Sequence, residues 1–237
     1  MREFSNKKVM VFGGSRGIGA AIVSAFAGGG ASVLFTYAGS QAASGALAAS
    51  TGATAVRSDA ADRDGIIAAI RDAGPLDVFV HNAGVLVGGD PLTIDPDAVD
   101  RLIDVNIRGP YHAAVEAART MNEGGRIIVI GSVHGDCMPF LGLAAYAMSK
   151  SAVQGMARGL ARDFGPRGIT VNIVQPGPTD TDMNPADGPD AALMHSVMAI
   201  KRHGTAADVA SLVLYLAGPH AGGITGAMHT IDGGLGA

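Results

Sequence analysis

The most constraining feature of this 237-residue sequence is a change of period close to its start. Residues 9–12 are a short apolar run, residues 13–19 read Gly-Gly-Ser-Arg-Gly-Ile-Gly, and residues 20–26 return apolar side chains at helical spacing. Strand, tight turn and helix follow one another without a spacer. The change then recurs, with a strand predicted over 32–37, a helix over 41–50, a strand over 54–56, a helix over 62–72 and a strand over 76–81. Strands that alternate with helices pair in parallel through crossovers, which gives a sheet covered on both faces.

The second half continues the pattern. Asp95 before Pro96 suits an N-cap and a first helical residue, and predicts one helix running to about Met121, stopped by Gly124 and Gly125. Residues 126–132 read as a buried strand and 143–164 as a long helix closed by Gly-Pro-Arg-Gly. Residues 169–179 form a sixth strand ended by prolines, and 229–232 a weak seventh. No repeat, linker or shift in composition divides residues 1–237, so the expected fold is a single α/β domain around a doubly wound, parallel, seven-stranded sheet. Residues 178–204, rich in Pro, Asp and Met, are the one long irregular stretch and hence a lid candidate.

Composition removes several function classes. An apolar content of 48% excludes disorder, and a net charge of −4 gives no general attraction to nucleic acid polymers. No apolar run approaches the ~18 residues of a membrane span. The start, MREFSNKK, leads into too few apolar residues before Gly13 for a signal peptide core. Cys137 is the only cysteine, so no intramolecular disulfide forms and a soluble cytoplasmic protein is expected. The seven histidines show no HExxH or paired-cysteine spacing, and no metal site is expected. The charge is also unevenly placed: Phe4 to Ser58 holds no Asp or Glu but carries Lys7, Lys8, Arg16 and Arg57, so this span is +4 and the remainder −8. An anionic partner near the N-terminal segment is implied.

That partner has a natural seat. Gly13, Gly17 and Gly19 lie between the first strand and first helix, where glycine allows a tight turn and lets backbone approach a pyrophosphate on the helix N-terminus. About 20 residues on, where an NAD site commonly places an acid against the ribose, this chain has Thr36 and Tyr37. With Arg16 in the turn, a 2′-phosphate meets a cation and hydroxyls, which favours NADP. Further along, Tyr146 and Lys150 stand one helical turn apart and Ser132 ends the preceding strand. Lowering a tyrosine from near 10 to about 7 takes about 4 kcal/mol. One ammonium at about 4 Å in a medium of effective dielectric 20 supplies about that much, so Lys150 is expected to bring Tyr146 toward neutrality.

The motifs that carry this chemistry stand in a familiar order. GGSRGIG, HNAG at 81–84, Asn106 in DVNIRGP, Ser132, YAMSK, PGPTDTDM and ITGAMHTIDGG together resemble the short-chain dehydrogenase/reductases in their single-domain form, over essentially the whole chain. The resemblance implies a Rossmann-type fold and an NADP(H)-dependent oxidoreductase that interconverts a carbonyl and a secondary alcohol. It implies Tyr146 as acid and base, Ser132 on the substrate oxygen, Lys150 on the nicotinamide ribose and Asn106 as anchor of a proton-relaying water. It places Gly13, Ser15, Arg16, Gly17, Ile18 and Gly19 in the cofactor turn, and Thr36, Tyr37 and Ser40 at the 2′-phosphate. Asp59 and Ala60 then lie at the adenine edge, Asn82, Ala83 and Gly84 at the adenosine ribose, and Pro176, Gly177 and Thr179 at the carboxamide. It also implies a homodimer or homotetramer through the two long helices.

Two residues depart from the family pattern: Phe12 stands where Thr is usual, and His81 replaces the first Asn of NNAG, which puts in question the side-chain hydrogen bonds that brace the turn. His134, Asp136, Cys137, Met138, Phe140, Val85 to Val87 and the 183–200 loop are expected to rim the substrate pocket. The segments TYAGS, PYHAAVEAAR, GMARGLARDFGPRGIT and AIKRHG resemble a regulatory member of the family that binds cyclic di-GMP and acts in biofilm dispersal. This gives a second function class, for which Arg158 and Arg162 supply an RxxxR spacing. On a helix such a pair more commonly makes surface ion pairs.

Overall fold

The computed structural model describes residues 3–237. Its elements run β1 (Lys8–Phe12), α1 (Gly17–Gly28), β2 (Ser32–Tyr37), α2 (Gln41–Thr51), β3 (Thr54–Arg57), α3 (Arg63–Ala73), β4 (Val78–His81), α4 (Pro96–Ile103), α5 (Gly109–Thr120), β5 (Arg126–Ile130), α6 (Ala144–Phe164), β6 (Thr170–Pro176), β7 (Thr179–Asp180), α7 (Ala191–Val197), β8 (Gly204–Thr205), α8 (Ala206–Ala217) and β9 (Met228–Ile231). Seven strands form one sheet in the order β3-β2-β1-β4-β5-β6-β9. All its pairings are parallel. Because β1 pairs with β2 on one side and β4 on the other, the strand order reverses there and a crevice opens beyond the carboxyl ends of both.

The period-2 geometry of the strands sorts the core into two layers. Met10 and Phe12 of β1 point to one face with Phe79, Ile127 and Val171, where they meet α3, α5 and α6. Val9 and Val11 point to the other with Val80, Ile128 and Val174, against α1 and α8. Both faces are covered, so the central strands are mostly apolar, and the polar His81, Thr170, Asn172 and Gln175 within them are buried as well.

The lower edge, at the strands' amino ends, is held by Asp77. Its carboxylate accepts from the Lys8 backbone N–H at 2.9 Å and from the Lys7 ammonium at 3.1 Å, and its carbonyl accepts from Arg126 N at 2.9 Å. β4 starts at Val78, two residues later than the expected strand.

The helix expected over 96–121 is interrupted. α4 and α5 are separated by one wide π turn, Asp104–Arg108, that contains Asn106. Pro110 has no N–H to offer the Asn106 carbonyl four residues back, and its ring opposes a regular α turn there. The wider turn also brings Gly109 against the Ala60 carbonyl oxygen, where a Cβ would collide. The lid region is more ordered than its composition implies: β7 pairs with β8, with Thr179 opposite Gly204, so the two ends of the segment are joined, and α7 lies between them. α8, to which the sequence pattern assigned no element, starts at a capping box in which Thr205 and Asp208 bond each other's backbone N–H. No helix among the described residues is long and apolar enough to cross a membrane.

Candidate active site

The crevice at the reversal of strand order is a cleft of about 570 Å³. Of the catalytic and cofactor residues expected from the sequence, all line it except Gly19 and Asn106, which stand behind its wall. The floor is the turn after β1. Gly13 has φ +76°, and a Cβ there would lie 2.6 Å from Ala83 Cα, so only glycine lets the two loops touch. Gly19 is needed for a different reason: a Cβ on it would strike the Gly13 carbonyl oxygen and come 2.6 Å from Asn82 Nδ2.

Bracing of this turn does not depend on the missing Thr and Asn. Asn82 Nδ2 donates to Gly13 O at 2.7 Å, Gly13 N donates to Thr36 Oγ1 at 3.0 Å, and Asn82 N and Ala83 N both donate to Phe12 O at 2.9 Å. Phe12 and His81 are cross-strand partners whose rings stack, 5.9 Å apart and 12° from parallel. His81 is fully buried, and its Nε2 has no hydrogen-bond partner. Burial first, and the Lys150 charge second, push its imidazole from 6.5 down to about 3.

At the outer end, Thr36 is buried in β2 and its hydroxyl oxygen accepts from Gly13 N, which braces the turn and leaves the hydroxyl hydrogen as its one donor. Arg16, Tyr37 and Ser40 remain on the cleft surface, and Arg16 makes no ion pair among the described residues. The nearby acid, Asp59, is already neutralised: both carboxylate oxygens accept from Arg101 at 2.8 Å. Burial pushes the Asp59 carboxyl up, but the Ala61 N–H and Arg101 outweigh it and hold the group below its ordinary value. Arg101 itself was missed in the sequence, since a contact between α4 and the end of β3 leaves no mark in spacing.

At the inner end, Tyr146 and Lys150 occupy the first two turns of α6 and face Ser132. Ser132 Oγ accepts from His134 N at 3.2 Å, which fixes the hydroxyl as the cap of the short turn Val133–Gly135. Lys150 is buried, donates to Ile130 O at 3.1 Å, and is pushed by burial from 10.5 to about 8. Its Nζ lies over the Tyr146 ring, 5.7 Å from the centroid. The expectation that Lys150 would draw Tyr146 down to neutrality is therefore not met. Burial raises the phenol above its ordinary 10, and only the Ser132 hydroxyl beside it opposes that rise. Burial therefore favours the neutral phenol.

Asn106 holds the wall behind this group. Val85 N donates to its Oδ1 at 2.9 Å, and its Nδ2 donates to Val85 O at 2.9 Å and to Ser149 Oγ at 3.1 Å. Of the expected rim, Val85, Leu86, His134, Phe140, Met183 and Met194 line the cleft. Asp136, Cys137 and Met138 do not, because the chain turns away after Gly135: Asp136 meets Gln154 and Gln175, and Cys137 packs beside Val133. His134 is neutral at pH 7, since burial lowers its pKa more than its bond to the Cys137 carbonyl raises it. Arg158 and Arg162 lie outside the cleft on exposed positions of α6. Neither makes an ion pair among the described residues, and Arg158 reaches only the Met228 sulfur at 3.5 Å. Among the described residues no group of three His, Cys, Asp or Glu could hold a metal ion.

Comparison with known proteins agrees with this geometry. The family model described as Enoyl-(Acyl carrier protein) reductase matches residues 13–236. The chain is 62% identical over 237 residues to the cyclic-di-GMP-binding biofilm dispersal mediator protein of Escherichia coli (strain K12), with 100% of each chain covered. It is 38% identical over 238 residues to the 3-oxoacyl-(acyl-carrier-protein) reductase MabA of Mycobacterium tuberculosis, covering 98% of this chain and 94% of that one. Its fold matches the crystal structure of BdcA in complex with NADPH at a TM-score of 0.97 and 62% identity, over 98% of this chain and 95% of that one. Taken with the strand order, the glycine-floored crevice and the Ser132, Tyr146 and Lys150 group, these matches lead to one conclusion: the chain belongs to the short-chain dehydrogenase/reductase family.

Proposed function

We propose that the chain is an NADP(H)-dependent oxidoreductase acting between a carbonyl and a secondary alcohol. The observation that carries this reading is the placement of the Tyr146 phenol, with Ser132 and Lys150, at the inner end of a cleft at whose outer end Arg16 stands without an ion pair among the described residues and Asp59 is held by Arg101. The glycine cradle fits a pyrophosphate, and Arg16, Tyr37 and Ser40 fit a 2′-phosphate. The relative of similar sequence whose structure holds NADPH supports the same cofactor. When bound, that cofactor supplies or accepts the hydride.

The chain's own residues handle the proton and the geometry. Ser132, its acceptor side occupied by His134 N–H, directs its hydroxyl hydrogen toward the substrate oxygen. Tyr146 donates its proton to that oxygen during reduction and takes it back during oxidation. Lys150, held on Ile130 O, presents its ammonium to the ribose and favours the phenolate as it forms. Asn106 fixes the Val85 backbone through its side chain, and its own carbonyl, to which Pro110 has no N–H to offer, would hold a relay water. The apolar hollow between α5 and α6, lined by Ile107, Tyr111, Val153 and Met156, is where self-association would occur.

Substituting Tyr146→Phe tests the assignment. Turnover of a carbonyl substrate is expected to fall by about 10³-fold, within the range for a general acid, while NADPH affinity stays within about two-fold. Retained turnover would sink the catalytic role. A second reading, a regulator that binds cyclic di-GMP, is supported by the 62% identical relative and by Arg158 and Arg162, exposed one turn apart without anionic partners. Calorimetric titration with cyclic di-GMP, with and without NADPH, decides it: no heat at micromolar protein removes this reading, and competition with NADPH moves the site into the cleft.

A further inference from the structure

Asp136, which the substrate cleft does not use, closes a ring of three side chains with Gln154 and Gln175. Gln154 Nε2 donates to Asp136 Oδ1 at 2.8 Å and to Gln175 Oε1 at 3.0 Å, and Gln175 Nε2 donates to Asp136 Oδ2. Both glutamines are buried, Gln175 completely. Each member belongs to a different part of the site. Asp136 follows the short turn that hangs from Ser132; Gln154 continues the face of α6 that carries Tyr146 and Lys150, at successive spacings of four; Gln175 directly precedes Pro176 and Gly177. The Ser132 turn is pressed against α6 at the same place, since Ser151 Oγ donates to Gly135 O at 2.7 Å and a Cβ on Gly135 would lie 2.7 Å from Gln154 Nε2.

The donor count of this ring admits only a carboxylate at position 136. Gln154 presents one terminal atom to both neighbours, whereas Gln175 presents its nitrogen to one and its oxygen to the other. With two acceptor oxygens on Asp136, one arrangement satisfies all three contacts and fixes both amide orientations. With an amide at 136, every choice of amide orientation leaves one contact with donor facing donor or acceptor facing acceptor. A mismatch between buried polar groups is resolved by movement, and the exposed member, Asp136 with its loop, is the one able to move.

We propose that Asp136 is a positioning residue, whose carboxylate locks the Ser132 turn, the Tyr146 and Lys150 helix and the Pro176–Gly177 turn into one register. The proposal rests on the dehydrogenase reading above. Displacement of a reacting group by about 1 Å is enough to cost a hundred-fold in rate.

The test compares the parent with Asp136→Asn and with the double variant Asp136→Asn/Gln175→Glu. In the double variant the carboxylate moves to position 175: the new amide at 136 accepts a hydrogen bond from Gln154 and donates one to the new carboxylate, and all three contacts close again. For Asp136→Asn, kcat on a carbonyl substrate is expected to fall at least ten-fold, with NADPH affinity by fluorescence titration and KM both within about two-fold. The double variant recovers a substantial part of kcat. Crystal structures of the parent and of Asp136→Asn give a readout independent of turnover, and the variant is expected to show residues 133–136 shifted from α6 and Ser132 withdrawn from Tyr146. An unmoved loop, or a folded Asp136→Asn enzyme with parental kcat, overturns the proposal. A parent without activity on any carbonyl refutes the dehydrogenase reading instead, and the two crystal structures still decide whether Asp136 sets the register.

Discussion

The buried His81 ring makes stability steeply pH-dependent in a range where most carboxylates of the chain are still ionised. In the unfolded chain the imidazole titrates near 6.5, and in the fold it is held at about 3. A group with a depressed native value binds protons in the unfolded state first, so its contribution is complete above pH 6.5 and is lost as the pH falls toward 3. Linkage over that interval gives a loss of about 2 kcal/mol between pH 7 and pH 5, and of about 4 kcal/mol by pH 3. Lys150, at about 8, is charged across the lower interval and adds no slope of its own. The assay is urea unfolding at pH 7, 6 and 5, at one protein concentration, for the parent and for His81→Asn. The variant loses the stack with Phe12 and starts less stable, so the slope is the quantity to compare. The other histidines and the carboxylates are common to both proteins and cancel in the difference. The parent should lose about 2 kcal/mol more than the variant. Parallel slopes, to within about 0.5 kcal/mol, would mean that His81 charges inside the fold without penalty, and would refute the link between its burial and its titration.

Two other substitutions probe opposite ends of the cleft. Arg16→Ala is expected to weaken NADPH binding by about 10- to 100-fold while leaving NADH unchanged, the loss of a charge-assisted contact to the 2′-phosphate; equal weakening of both would place Arg16 elsewhere. Lys150→Met is expected to stabilise the protein against urea at pH 7 by up to about 3 kcal/mol while removing turnover, because the ammonium is charged in surroundings that favour its neutral form. That gain disappears as the pH rises past 10.5, where the unfolded lysine is neutral as well.

Much of the architecture was legible because β1, β4, β5 and β6 are buried on both faces, and continuous apolar runs bounded by glycine and proline have few other readings. The cofactor turn and the Tyr146 and Lys150 pair were legible because each is local, a spacing of a few residues. What escaped was either non-local or featureless in period. The Arg101 to Asp59 clasp and the Asp136 ring join residues far apart in the chain, and no spacing announces them. α8 is apolar around most of its circumference, so no stripe distinguishes it, although Thr205 and Asp208 mark its start. The break at Asn106 was written in Pro110, but a proline inside a strong helical pattern does not say whether the helix ends, kinks or widens. The phenol of Tyr146 was misjudged for a physical reason: the attraction of an ammonium was counted, but the cost of desolvating a phenolate was not.

The Asp77 cluster at the foot of the sheet has a consequence for how such a chain can change. Every group assigned a chemical task sits where strands finish, while Lys7, Lys8, Asp77, Asn122 and Arg126 knit together where strands begin. The strands that join these two regions are rigid and fully packed. Strengthening or loosening the lower knot therefore shifts the folding equilibrium without altering a distance at the reacting end. A lineage of this design can drift in thermal tolerance and in substrate along separate axes, one for each edge of a single sheet.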